Sequence, residues 1–461
     1  MSAIANARAR FLAESVAGIA ARLERLPFTS YQRKLFLIIA TAWFFDSIDL
    51  GALTFLLGSI KSAFHLDIAH TGLLASASFF GMFLGASLAG MAADRFGRKG
   101  VFQVSMLFWG LGSVLCGFAP EINWLLLARV LVGFGMGMEF PVAQSIASEI
   151  TPAAHRGRYI ALLEGFWPIG FITAGLIAYA IVPTFGWRPV FIIEGLPCLF
   201  VFIVRRTIPE SPRWLAEHGQ AERAEAVMQD IEAKVEERYG ASLPAPKAIS
   251  VQPPNRRWYI TFFELWSGKF AKRTVMLWLL WFFALLGYYG LTTWLSTLLQ
   301  QSGYPVTKSV YYTILISTAG LPGFLIASWL IEFVGRKPTL IVMLLGGAIA
   351  AYFYGTAIDQ NHLIAFGLAM QFCLFGMWSA LYAYTPELYS NRARATGTGF
   401  ASAVGRIGSL LGPYLVGTVI LPTFGQPGVF SFGAGAFVLA ALTVWLLGEE
   451  TKGRILEDVS N

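Results

Sequence analysis

Apolar runs of about 20 residues recur along the chain from near residue 35 to near residue 448. A helix rising about 1.5 Å per residue crosses a hydrocarbon core of about 30 Å in that length. The pattern predicts twelve membrane helices, at 35–58, 72–93, 101–119, 123–148, 159–183, 187–206, 273–299, 308–331, 339–357, 363–386, 396–421 and 428–448. The implied fold class is an all-α membrane protein with twelve transmembrane helices.

Residues 207–272 break the apolar rhythm with a charged, helix-forming stretch from Pro212 to Tyr239 and a Pro-rich segment ending at Pro254. This reads as a linker carrying a surface helix. The chain then divides into a leading segment 1–34, a six-helix bundle 35–206, the linker 207–272, a second bundle 273–448 and a tail 449–461.

The two bundles share an internal repeat. Asp94, Gly97, Arg98 and Lys99 match Glu332, Gly335, Arg336 and Lys337, each 238 positions on, and Glu149 and Arg156 match Glu387 and Arg394 at the same offset. A duplicated six-helix unit predicts two pseudo-symmetric bundles with a substrate site between them near the midplane, an arrangement that permits rocking.

Composition agrees, with 56% hydrophobic and 13% charged residues among 461. The 47 glycines would weaken soluble helices but let membrane helices approach closely. A net charge of +7 could suggest nucleic acid, yet all but five of the 34 Lys and Arg fall on one side of the spans. Lys61, Arg188 and Lys308 lie on the other side, and Arg129 and Arg406 lie within spans. The positive-inside rule therefore predicts cytoplasmic termini, a multi-pass protein of the cell (inner) membrane, and no nucleic-acid partner.

Cys116, Cys198 and Cys373 lie in or beside spans with no metal-ligand spacing, so neither disulfide nor metal is expected, and no cofactor is implied. The N-terminus lacks signal-peptide organisation. Leu12, Val16, Ile19, Leu23 and Leu26 instead form a helical stripe opposite Arg8, Arg22 and Arg25, suited to the inner membrane surface or to a solvated tail. No His lies in a span, and no nucleophile elbow, Walker loop or HExxH pattern occurs, which argues against an enzyme.

Charges inside spans are costly and mark functional positions. Asp46 and Asp49 share one face of the first span and are candidates for proton coupling or for a buried structural pair. Glu139 and Glu164 add intramembrane acids, Glu164 lying near enough to the cytoplasmic end to be wetted or paired with an arginine. Arg406, midway along the eleventh span, offers a planar fork to a substrate carboxylate, or else to an internal one. Trp167, Tyr288, Tyr289, Trp378 and Tyr382 lie at the same depth and could stack on a flat ring, although most membrane aromatics only pack.

The run Gly90 to Lys99 fits G-x-x-x-D-R-x-G-R-K, and with its weaker copy at Glu332 to Lys337 it resembles the loop signature of the major facilitator superfamily. The resemblance implies that Asp94 and Arg98 help lock the cytoplasmic gate, and the repeat extends a gating role to Glu149, Arg156, Glu332, Arg336, Glu387 and Arg394. Arg129 with Gly133, Gly135 and Gly137 is similar to the superfamily's fourth-helix motif. Pro209-Glu210-Ser211-Pro212-Arg213 and Glu450-Thr451-Lys452-Gly453-Arg454 resemble the sugar-porter and organic-ion branches.

Against a sugar stand the midplane carboxylates and arginine. Phe45-Asp46-Ser47-Ile48-Asp49, Gly137-Met138-Glu139-Phe140-Pro141, Leu163-Glu164-Gly165-Phe166-Trp167, Ser379-Ala380-Leu381-Tyr382 and Gly405-Arg406-Ile407-Gly408 resemble bacterial niacin transporters. The resemblance implies proton-coupled import of nicotinate or a similar aromatic acid by a single chain. Alternatives are a carrier of another aromatic acid or of an organic cation, or a non-transporting nutrient sensor.

Overall fold

The computed structural model describes residues 17–152, 159, 162–246, 263–389 and 394–452. Each predicted span is helical among them. The first six are Ser30–Ala63, Ile68–Phe96, Arg98–Gly117, Ile122–Ile150, Phe166–Phe185 and a segmented sixth over 188–207. The remainder are Gly268–Thr292, extended by Leu295–Gln301; Val306–Phe333; Arg336–Gly355; Gln360–Glu387; Arg394–Leu415; and Leu421–Leu447.

Most helices overrun their apolar cores because polar caps and charged turns extend them. The first begins at a capping box, in which Thr29 Oγ1 accepts from the Tyr31 N–H at 3.3 Å and Gln32 Oε1 accepts from the Thr29 N–H at 3.0 Å. Gly97 and its repeat Gly335 hold φ of 88° and 117°, backbone that side-chain-bearing residues resist, and so turn the chain sharply between helices.

Several spans are broken where sequence periodicity suggests continuity. The sixth runs as Arg188–Gly195, a 3-10 segment Leu196–Phe200 containing Pro197, and Val201–Thr207. Beyond Pro413 the eleventh loosens into a π turn, Val416–Ile420, and Gly425 at φ 66° kinks the start of the twelfth.

Glycines set the closeness of the second and fourth helices. A Cβ on Gly133 would collide with the Ser78 carbonyl, and one on Gly137 with that of Met82. The seventh and eleventh helices repeat the device, with Gly408 against Phe282 and Gly412 against Leu286. Between bundles, the second helix packs on the eleventh and the fifth on the eighth. The bundles meet at the end away from the basic loops, where Gly72 faces the Gly417 backbone and Gly58 faces Gln300.

The amphipathic N-terminal stripe does not face lipid. Ile19, Leu23 and Leu26 are buried against Trp214, Leu215, Met228, Ile231 and Val235 of the linker helices Pro212–Glu217 and Ala221–Tyr239. Arg22 and Arg25 reach Glu232 at 2.5 Å each, and Arg22 also reaches Glu225 at 2.6 Å. A matching apolar and acidic protein surface thus takes the place predicted for the membrane. Arg8, Leu12 and Val16 lie outside the described residues, as do Pro254 and the chain beyond 452.

Candidate functional site

Asp46 and Asp49, three residues apart on one helix face, are both fully buried, yet they point to different partners. Arg129 Nη1 donates to Asp49 Oδ1 at 2.7 Å, and the guanidinium lies 5.4 Å from the centre of the Phe191 ring. Asp46 faces Glu139 of the fourth helix instead. Glu139 Oε2 accepts from Trp109 Nε1 at 2.8 Å and from Ser105 Oγ at 3.4 Å. These groups are held by four packed helices, so the first bundle contains a polar core closed to outside solvent.

Sequence reasoning missed Glu194. It lies in the first segment of the broken sixth helix, is buried, has no hydrogen-bond donor on either oxygen among the described residues, and interacts electrostatically with Asp49 and Arg129. The signal was available, since an acid seven residues into a predicted span has the same cost as Glu139.

A narrow cavity of about 20 Å³, room for about one water, lies between the bundles, with Leu50, Thr54, Phe79 and Trp167 on one side and Tyr288 and Tyr289 on the other. Phe79 and Tyr289 touch across the divide at 4.4 Å between centroids. Trp378 and Tyr382 do not line it; they stack on each other at 5.6 Å, and Trp378 meets Tyr288 edge-on at 5.2 Å. Trp167 therefore faces a wall made of Tyr288 and Tyr289, with Trp378 and Tyr382 as a second layer behind Tyr288.

Arg406 sits at the edge of this wall, beside Tyr289 and Glu164. Its guanidinium lies 5.3 Å from the Phe140 ring centre, and Nη1 is 3.9 Å from Met82 Sδ, both residues of the opposite bundle. Among the described residues it forms no ion pair within 4.0 Å. Glu164 is instead held by Gln144 Nε2 at 3.0 Å. A half-buried guanidinium that borders Met82, the Phe140 ring and Tyr289, with no described carboxylate paired to it within 4.0 Å, is suited to an anion.

The loop residues cluster at the basic end. Arg98 pairs with Glu149, and its repeat Arg336 pairs with Glu387, Nε to Oε2 at 3.0 Å, and with Glu332 at 3.4 Å. Both are contacts within a bundle, and no ion pair between described residues joins the bundles at this end. Asp94 contributes its carbonyl to Trp214 Nε1 at 2.7 Å. Arg156 lies outside the described residues, and Arg394 opens the eleventh helix.

Two further acids complete the pattern. Glu210 accepts from the backbone N–H of Arg98 at 3.0 Å and of Lys99 at 3.2 Å, and Glu450 does the same for Arg336 at 3.0 Å and Lys337 at 3.1 Å. Each carboxylate thus caps the positive end of a membrane helix. Their motifs were visible in the sequence, but their role was not.

Residues 51–461 match the model of the sugar (and other) transporter family. The chain belongs to this family of major facilitator transporters. It is 39% identical to the niacin transporter NiaP of Acinetobacter baylyi over 441 residues, 96% of this chain and 99% of that one. It is 31% identical to the synaptic vesicle 2-related protein of Xenopus laevis, over 95% of this chain and 82% of that one. The inward-open xylose transporter XylE of E. coli shares the fold, with a TM-score of 0.73, 20% identity, and coverage of 93% and 99%. This transporter is thus a multi-pass membrane protein with the twelve-helix major facilitator fold.

Proposed function

We propose that this transporter imports nicotinate, or a closely similar aromatic carboxylate, across the cell (inner) membrane by proton symport with alternating access. The observation that carries the reading is Arg406, which forms no ion pair within 4.0 Å among the described residues and stands beside an aromatic-walled cavity. A flat ring would lie between Trp167 and the Tyr288–Tyr289 pair, with Trp378 and Tyr382 as backing and its carboxylate toward Arg406. Thirty-nine percent identity to a named niacin transporter supports the choice of ring.

Proton coupling is supported by the buried acids Asp46, Asp49, Glu139 and Glu164. One proton carried with a monoanion is electroneutral, while a second adds about 2.3 kcal/mol per 100 mV of membrane potential. We further propose that both termini and the linker face the cytoplasm, that Asp94, Arg98, Arg129 and the repeated loop pairs bias conformational exchange, and that a single chain suffices.

The test is uptake of labelled nicotinate into proteoliposomes under an inward proton gradient, with benzoate, nicotinamide and a quaternary amine as competitors. Gradient-driven uptake blocked by benzoate and abolished in Arg406→Ala supports the reading. Competition by the amine alone, with Arg406→Ala active, overturns it in favour of a cation carrier.

A further inference from the structure

The first bundle carries a groove apart from the central cavity. It holds about 480 Å³ between the start of the first helix and the end of the sixth. Arg33, Lys34, Leu37 and Thr41 line one side, and Phe200 and Ile203 the other. Phe45, one turn beyond Thr41, meets Phe200 edge-on at 5.7 Å and bounds the deep end. The sixth helix packs on the third, away from the second bundle, and Leu37 and Ile203 are half exposed, so the groove opens toward lipid.

Its two ends differ in chemistry. Arg33 and Lys34 are exposed at the mouth, where Arg206 stands beside Thr207, a further lining residue. None of these three cations pairs with an acid among the described residues, and no acidic residue lines the groove. Deeper in, the walls are apolar, and the one hydroxyl there, on Thr41, already donates to the Leu37 carbonyl at 2.7 Å. From Arg33 to Phe45 the first helix rises about 18 Å at about 1.5 Å per residue, comparable with one leaflet of a hydrocarbon core about 30 Å thick.

We propose that this groove binds one anionic phospholipid from the leaflet on the side of the basic loops, its phosphate between Arg33, Lys34 and Arg206 and an acyl chain along Leu37, Phe200 and Ile203. A phosphate among these cations gains charge-assisted hydrogen bonds, and the chain covers apolar surface at its own depth. Span orientation alone asks only for basic residues near helix ends, with no groove between them. The second half shows that the fold does not require the cluster. At the 238-residue offset Lys272 repeats Lys34 but Ala271 replaces Arg33, and Leu446 precedes Glu450 by the four positions that separate Arg206 from Glu210. The site is independent of what the central cavity carries.

The test is native mass spectrometry of the full, detergent-purified chain titrated with phosphatidylglycerol or with phosphatidylcholine. One phosphatidylglycerol should be retained in preference to phosphatidylcholine, and the combined Arg33→Gln, Lys34→Gln, Arg206→Gln change should weaken it on the order of tenfold or more. Removing the same charge from the linker helix, by Arg223→Gln, Lys234→Gln and Arg238→Gln, should leave it in place. The pair Leu37→Trp, Ile203→Trp fills the groove, keeps every cation, and should also displace the lipid. Equal retention of the two lipids, or equal losses in the two charge variants, overturns the proposal. So does retention unchanged in the filled groove, or full displacement by excess inorganic phosphate, which would make the cluster a site for free anions.

Discussion

Arg129 and Asp49 form an ion pair at 2.7 Å in which neither side chain has any contact with solvent. Among the described residues Arg129 Nε and Nη2 and Asp49 Oδ2 have no further hydrogen-bond partner, so the pair is the main compensation for burying two charges. It joins the first helix to the fourth across 80 residues of sequence.

Removing one partner should therefore cost more than removing both. Asp49→Asn is expected to destabilise the first bundle by about 3–5 kcal/mol, and a combined Asp49→Asn, Arg129→Met change by markedly less. Thermal unfolding of detergent-purified protein, followed by tryptophan fluorescence, makes the comparison. Equal losses in the single and double variants would show that the pair acts through something other than charge compensation.

The fit of the second and fourth helices predicts a steric result. Gly133 packs on the Ser78 backbone with no room for a Cβ, so Gly133→Val should destabilise by about 1–3 kcal/mol through overpacking. Gly399, whose Cβ position is open, serves as the control, and Gly399→Ala should leave the melting temperature unchanged.

Acid should release the N-terminal helix. Burial alone would raise the Glu232 carboxyl, but the Arg22 and Arg25 guanidiniums bonded to it hold it below the ordinary carboxylate range; Arg22 does likewise for Glu225. A depressed folded value gives a contribution present above the unfolded pKa of about 4.3 and lost as pH falls through the folded value. Limited proteolysis near Arg25 should accelerate below about pH 4 in the wild type, and already at neutral pH in Glu232→Gln. A pH-independent rate would assign the docking to the apolar contacts alone.

At the cavity, Arg406→Lys tests fork geometry against charge. A lysine preserves the charge but not the bidentate match, so a rise in KM of about tenfold with little loss of kcat is expected for nicotinate. An unchanged KM would mean that Arg406 contributes only a long-range field.

The twelve spans were legible because a lipid solvent demands long apolar helices and leaves few other solutions for the backbone. Their breaks were less so: Pro197 and Gly425 signal a defect, but hydropathy continues straight through it. The charged positions could be chosen from cost alone, while their partners could not. Nothing in the spacing of Asp46 and Asp49 says that one meets Arg129 and the other Glu139, because those contacts depend on which faces of distant helices pack. The N-terminal stripe misled for a related reason, since an apolar face opposite arginines suits a membrane surface and an acidic helix equally well.

Glu210 follows the sixth span and caps the third helix, and Glu450 follows the twelfth and caps the ninth. Each half of the molecule is thereby tied back on itself by its own trailing segment, like a strap buckled around six staves. The covalent link through residues 240–267 is then not what holds either half in shape. Two polypeptides divided in that stretch, each keeping its trailing glutamate, should fold separately in the membrane and assemble into an active carrier when produced together.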